Sequence, residues 1–141
     1  MELDMAVECK VRVRYSETGK MGFAHHANYL NWFDMAQEEL LKKYGLSYNY
    51  VEEQGYRILP VHTSCDFKTP AYYDDVLTVR IAVKEVKGIK LTFGYEIVRE
   101  KDAALIATGE TTHILVDRNT KVALVKSLPD IYDIMMKETE G

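Results

Sequence analysis

Three features of this 141-residue chain predict an α+β fold in which one long helix is wrapped by a curved antiparallel sheet. A strand of period two opens the chain, a single long segment with three- and four-residue apolar spacing follows, and four further strand-like runs come after it. The helical stripe and the apolar strand faces bury one another most simply as two layers. Residues 1–141 are expected to form one domain. By size scaling, roughly 7,500 Å² of the roughly 23,500 Å² exposed by the unfolded chain stays accessible, so about two-thirds is buried without metal or disulfide staples.

Residues 7–15, VECKVRVRY, set Val7, Cys9, Val11, Val13 and Tyr15 on one face and Glu8, Lys10, Arg12 and Arg14 on the other, which predicts a strand with one solvated face. SETGKMGFAHHAN, with two glycines and adjacent histidines, reads as a long loop or a loop with a short helical turn. From Tyr29 to Tyr44, Leu30, Phe33, Ala36 or Gln37, Leu40, Leu41 and Tyr44 form a helical stripe, with Asn28 as the expected N-cap, Lys42 and Lys43 in the last turn, and Gly45 as the stop. The segment LSYNYVEEQGYRILP is expected to be irregular or to include a short helix around Tyr48–Gln54. Strands follow at about 57–69, 76–87, 89–99 and 104–117, with a tight hairpin at Lys87–Gly88 and with Leu91, Phe93, Tyr95 and Ile97 on one face. Turns are expected at Asp102 and at DRNT, 117–120, and a final short helix starts near Pro129 with Ile131, Ile134 and Met135 as its stripe. Ten tyrosines and strands apolar on both faces point to a further surface buried by oligomerisation.

With 18 Lys+Arg against 22 Asp+Glu, the net charge is -4 and no basic cluster offsets it, which disfavours a duplex-DNA binder. A polyanionic small molecule needs only a few local positive groups. Cys9 and Cys65 show no ligand spacing and are expected to be reduced, buried thiols. MELDMAVECK has no leader-like pattern and no apolar run reaches membrane-spanning length, so a soluble cytoplasmic protein is expected, with neither membrane nor nucleic acid as partner.

Polar density peaks just before the long helix, where backbone amides can receive an oxyanion or a thioester carbonyl. Glu17, Thr18, Lys20, His25, His26 and Asn28 are the reactive side chains there; the alternative is that they only cap and order the loop. Adjacent histidines do not readily face one ion, and no HxxxH or HExxH spacing occurs, so no metal site is expected. The adjacent acids Asp74 and Asp75 are expected to point apart and solvate their turn, and His62 and His113 to be strand residues with satisfied hydrogen bonds.

VRVRYSETGKMGFAHHANYLNWFDMAQEELLKKYG and the later ILPVHTSCDFKTPAYYDDVLTV resemble the 4-hydroxybenzoyl-CoA thioesterase-like acyl-CoA thioesterases, with element order matching over about 7–130. The resemblance implies the hotdog fold, subunits paired into a continuous sheet as a dimer or a dimer of dimers, and interfacial sites that hydrolyse acyl-CoA with no cofactor beyond the CoA of the substrate. It implies that Gly22 permits a tight turn, that the amides of Phe23, Ala24, His25 and His26 polarise the thioester, and that Asn28 and Tyr29 open the long helix beside the substrate. Lys68, Lys87, Lys90 and Arg57 are candidates for the CoA rim. Phe23, Trp32, Phe33 and Tyr56 either line an acyl pocket or belong to the core.

One position departs from the family pattern. Where acid, Thr, Asp, two variable residues and Gly are usual, this chain reads Glu17, Thr18, Gly19, Lys20, Met21, Gly22. Gly19 therefore replaces the catalytic aspartate. Glu17 could substitute for it, His25 or His26 could activate water, or the chain could bind acyl thioesters with weak turnover or none.

Overall fold

A computed structural model describes residues 7–140, so residues 1–6, where no leader was expected, and residue 141 lie outside the described residues. Its elements are β1 (Val7–Arg12), α1 (Ala27–Lys43), α2 (Tyr48–Glu53), β2 (Tyr56–Phe67), β3 (Val76–Lys87), β4 (Lys90–Arg99), β5 (Leu105–Asp117), β6 (Val122–Ala123) and α3 (Pro129–Glu140), with single 3₁₀ turns at Tyr15–Glu17 and Val125–Ser127. All the pairings are antiparallel, in the order β1-β3-β4-β5-β2, with β6 against the end of β5. The sheet does not close, and β2 is one of its edges.

The alternation read from the sequence explains which faces meet. Leu91, Phe93, Tyr95 and Ile97 on β4 and Leu77, Val79 and Ile81 on β3 are buried, as are Trp32, Phe33, Ala36, Leu40 and Leu41 along α1. The Phe33 ring stacks on Tyr95 with centroids 4.3 Å apart. Gly109 on β5 makes this approach possible, because a Cβ there would fall 2.6 Å from the Phe33 ring and from the Ser64 carbonyl. On α3, Ile131 and Met135 are buried.

Two boundaries differ from the sequence reading. The first strand ends at Arg12 and Tyr15 is 79% exposed, because the chain turns into the 3₁₀ segment while Val13 still bonds Asp75 through its amide. Helix α1 begins at Ala27 with His26 at the cap position, so Asn28 is a helical residue with a different task. Cys9 and Cys65 are half-buried rather than buried, and they lie on β1 and β2 at opposite edges of the sheet, too far apart to bridge. Among the described residues no helix is long and apolar enough to cross a membrane, and no group of three His, Cys, Asp or Glu side chains could hold a metal ion.

Candidate functional site

Residues 17–28 are built as a small backbone frame. The His25 amide donates to the Glu17 carbonyl at 2.8 Å, the Gly19 amide to the Phe23 carbonyl at 3.1 Å, and the Gly22 amide to the Gly19 carbonyl at 3.0 Å. Gly22 sits at φ +86°, a left-handed conformation that costs glycine nothing and other residues more. Ala24 joins the frame to the next loop by donating to the Ala71 carbonyl at 2.7 Å. Asn28 locks the frame onto α1, because its side-chain amide donates to the carbonyls of Glu17 at 2.9 Å and His25 at 3.0 Å.

Beside this frame lies a groove of about 370 Å³. Phe23, Tyr29, Phe67 and Pro70 form its apolar wall, and His25, His26 and Lys68 its polar side. Tyr29 meets Phe67 edge to face at 4.9 Å, the His26 ring lies 6.4 Å from Phe67, and the two histidine rings stack at 4.3 Å. Burial pushes the Tyr29 phenol upward, so it stays neutral.

Of the four amides expected to polarise a thioester, Ala24 and His25 are already committed to Ala71 and Glu17. Among the described residues those of Phe23 and His26 donate to no protein acceptor. The His26 amide also stands at the N-terminal end of α1, where the helix dipole favours negative charge.

The candidate bases separate equally clearly. Glu17 is buried with its carboxylate folded back on Arg14: Oε1 accepts the Arg14 amide at 2.8 Å and Oε2 faces the guanidinium at 3.5 Å. It is a capping residue for the 3₁₀ turn, which removes it from reach of the groove. His25 accepts the Ala27 amide through Nδ1 at 3.3 Å, which leaves Nε2 as the protonated nitrogen and hence a donor. At Gly19 an added Cβ would meet nothing within 4 Å, and its φ is not in the left-handed region, so an aspartate would fit.

The remaining candidates disperse. Lys68 lines the groove, whereas Tyr56 lines a separate cavity at the start of β2, and Lys87 and Lys90 are exposed on the β3–β4 hairpin. Trp32 and Phe33, 1% and 0% exposed, are core residues and line no acyl pocket. Asp74 and Asp75 do diverge, but Asp75 is not solvated: its buried carboxylate pairs with Arg99 at 3.1 Å while Asp74 pairs with Arg12 at 3.0 Å. Arg99 also donates to the Pro70 carbonyl at 3.1 Å, bracing the loop behind the groove. His113 is only half satisfied, since Nε2 meets Thr111 at 2.9 Å and the buried Nδ1 has no partner.

Sequence reasoning missed Phe67, Pro70 and Arg99. Phe67 carried a signal, an aromatic residue at a strand end next to Lys68, but its contact with Tyr29 joins segments far apart in sequence.

A sequence profile of the thioesterase-like superfamily matches residues 13–134. The chain belongs to this superfamily. Within it, a protein of Aquifex aeolicus is 30% identical over 120 residues, 85% of this chain and 92% of that one. The acyl-CoA thioesterase YbgC of Haemophilus influenzae is 29% identical over 127 residues, 89% of this chain and 93% of its own. The structure of a DHNA-CoA thioesterase from Staphylococcus aureus superposes with a TM-score of 0.84 at 27% identity, covering 94% of this chain and 89% of that one. This thioesterase-like chain thus has the hotdog fold, an α+β architecture of one long helix against an antiparallel sheet.

Proposed function

We propose that this chain hydrolyses acyl-CoA thioesters to the free acid and CoA. The observation that carries the reading is the uncommitted His26 amide at the head of α1, beside a groove with an apolar wall. A thioester carbonyl directed at that amide develops its negative charge where a preorganised donor and the helix dipole both stabilise it.

Water is the nucleophile, and the His26 imidazole takes its proton. Its ring borders the groove, whereas Glu17 is turned away and His25 Nε2 is a donor. Addition of water oxygen to the carbonyl gives a tetrahedral oxyanion, and its collapse breaks the C–S bond. The imidazolium then returns its proton to the departing thiolate. No metal or further cofactor is needed for this sequence.

A second reading, an acyl-thioester binder with weak turnover or none, is favoured by Gly19, which supplies no side chain where the family pattern has an acid. Thiol release from short, medium, long and aromatic acyl-CoA thioesters separates the two. Saturable turnover supports the enzyme; binding without release supports the second reading. Gly19→Asp should raise kcat by at least tenfold, because the position has room for the carboxylate. An unchanged rate would mean that the groove has diverged from carboxylate chemistry.

The edge strand β2 supports assembly of two copies into one continuous sheet, as a dimer or a dimer of dimers. Its 12 residues are mostly exposed, including Leu59, Val61 and Phe67. Sedimentation equilibrium measures the assembly directly, and a monomer at micromolar concentration would refute it. The unbridged thiols Cys9 and Cys65 are in keeping with a reducing, cytoplasmic setting.

A further inference from the structure

Residues 68–75, between β2 and β3, face the groove on one side and the sheet on the other. On the groove side Lys68, Thr69 and Pro70 form part of the wall, and the buried Ala71 takes the Ala24 amide on its carbonyl at 2.7 Å. Tyr72 and Phe23 are the partners of this antiparallel bridge. The two uncommitted amides of the frame, those of Phe23 and His26, stand one residue before and two residues after Ala24. Their placing therefore depends on where this loop lies.

The ends of the loop are tied to neighbouring backbone. Lys68 and Thr69 donate to the Ile106 carbonyl at 2.9 and 3.2 Å, and Asp74 donates to the Val13 carbonyl at 2.9 Å. The turn closes with Asp74 at φ +69°, a left-handed conformation that a non-glycine residue adopts at a cost. Between these ties one side chain spans the turn from behind. Arg99, at the end of β4 and 8% exposed, donates through Nη1 to the Pro70 carbonyl at 3.1 Å and to Asp75 Oδ2 at 3.1 Å. The same Oδ2 accepts the Tyr72 amide at 2.9 Å, so Pro70, Tyr72 and Asp75 are all held through one guanidinium.

The opposite edge of that guanidinium is fixed by Asp102. Nε meets Oδ1 at 3.1 Å and Nη2 meets Oδ2 at 3.2 Å, a two-pronged pair that sets the plane of the group and holds the Asp102 carboxyl below the usual carboxylate range. A lysine has one nitrogen and no such fork, so it cannot serve all three partners in this geometry. An ion pair that served stability alone would need only Asp75 and Asp102. The third partner, the Pro70 carbonyl, belongs to a residue of the groove wall.

We propose that Arg99 is a positioning residue for the thioester site, acting through Pro70 and Asp75 on the Ala71–Ala24 bond and so on the Phe23 and His26 amides. It touches no substrate. The role rests on the thioesterase reading above, since the amides it aligns are the ones that reading directs at the carbonyl.

Arg99→Lys keeps the charge and removes the fork. Amide hydrogen exchange followed residue by residue reads the clamp without turnover: the Ala24 amide should exchange at least tenfold faster, while that of Phe93, paired on both sides in the centre of the sheet, should not change. In thiol release from an acyl-CoA, kcat per folded molecule should fall about thirtyfold with KM changed less than threefold, because the lost alignment belongs to the transition state. Ile131→Ala, in the buried stripe of α3, is the comparison for stability, and should lower the melting temperature while leaving kcat per folded molecule at the wild-type value.

Asp102→Asn is the second variant, placed in an exposed turn and leaving the bonds of Arg99 to Pro70 and Asp75 in place. It should lower kcat about threefold and speed Ala24 exchange by a similar factor. An Ala24 amide that exchanges at the wild-type rate in both variants would overturn the clamp, as would a folded Arg99→Lys protein with wild-type kcat. A kcat loss no greater per folded molecule than that of Ile131→Ala would make Arg99 a stability residue only. No thiol release by the wild type would refute the thioesterase reading instead, and the exchange rates would still decide whether Arg99 holds the loop against the frame.

Discussion

The frame of residues 17–28 and the buried strip that runs from Gln37 through Tyr95 and Thr111 to His113 are both polar segments against the central helix. They solve opposite problems. In the strip, the Tyr95 hydroxyl lies 2.7 Å from that of Thr111, and Thr111 in turn meets His113, so polar atoms satisfy one another inside the sheet–helix layer. One atom, His113 Nδ1, is left over and buried. In the frame, the side chains of Glu17, His25 and Asn28 are turned toward backbone groups, and the atoms left over are the amides of Phe23 and His26. An unpartnered group in the core lowers stability, whereas one beside a groove can meet a ligand.

The largest expected effect tests the core side of this contrast. Burial depresses the His113 pKa from about 6.5 to about 4, so as pH falls the unfolded chain takes up this proton before the folded one. The stabilisation is complete above about pH 6.5, declines between pH 6.5 and 4, and is lost below that, a total on the order of 3 kcal/mol. Urea unfolding across this window should show the decline, and His113→Leu should flatten it. An unaltered slope in the variant would mean that other groups govern acid stability.

Next is the staple that holds the frame. Asn28→Ala removes both side-chain donors to the Glu17 and His25 carbonyls and lets the head of α1 shift relative to the loop. If the His26 amide stabilises the oxyanion, kcat should fall by about 10², with KM changed less than threefold, because the lost interaction belongs to the transition state. A variant with wild-type kcat would show that the frame does not position the reacting carbonyl. Equal losses in kcat and in folded fraction would reduce Asn28 to a structural role.

The contrast also explains what could be read before the fold was known. Period-two runs and the helical stripe were legible because burial acts on every second or third residue, and the four later strands fall within two residues of their expected bounds at both ends. The site was legible as a segment but not as an arrangement. Which amides of Phe23, Ala24, His25 and His26 stay uncommitted depends on Ala71, and the orientation of Glu17 depends on the 3₁₀ turn after Val13. The Tyr29–Phe67 contact and the support of Pro70 by Arg99 are non-local, so no spacing within either segment announces them.

The smallest effect is the sharpest test of how the frame uses its carboxylate. Glu17 is an acid two residues from the position where the family pattern has its catalytic aspartate, yet both of its oxygens face Arg14. Glu17→Gln keeps an oxygen acceptor for the Arg14 amide and loses the charge facing the guanidinium. Arg14 is largely exposed, so solvent screens that charge pair, and the expected cost is about 1 kcal/mol or less. Thiol release should stay within threefold of wild type. A hundredfold loss with the melting temperature preserved would instead make Glu17 the base, which would require the carboxylate to leave Arg14 and swing into the groove when substrate binds.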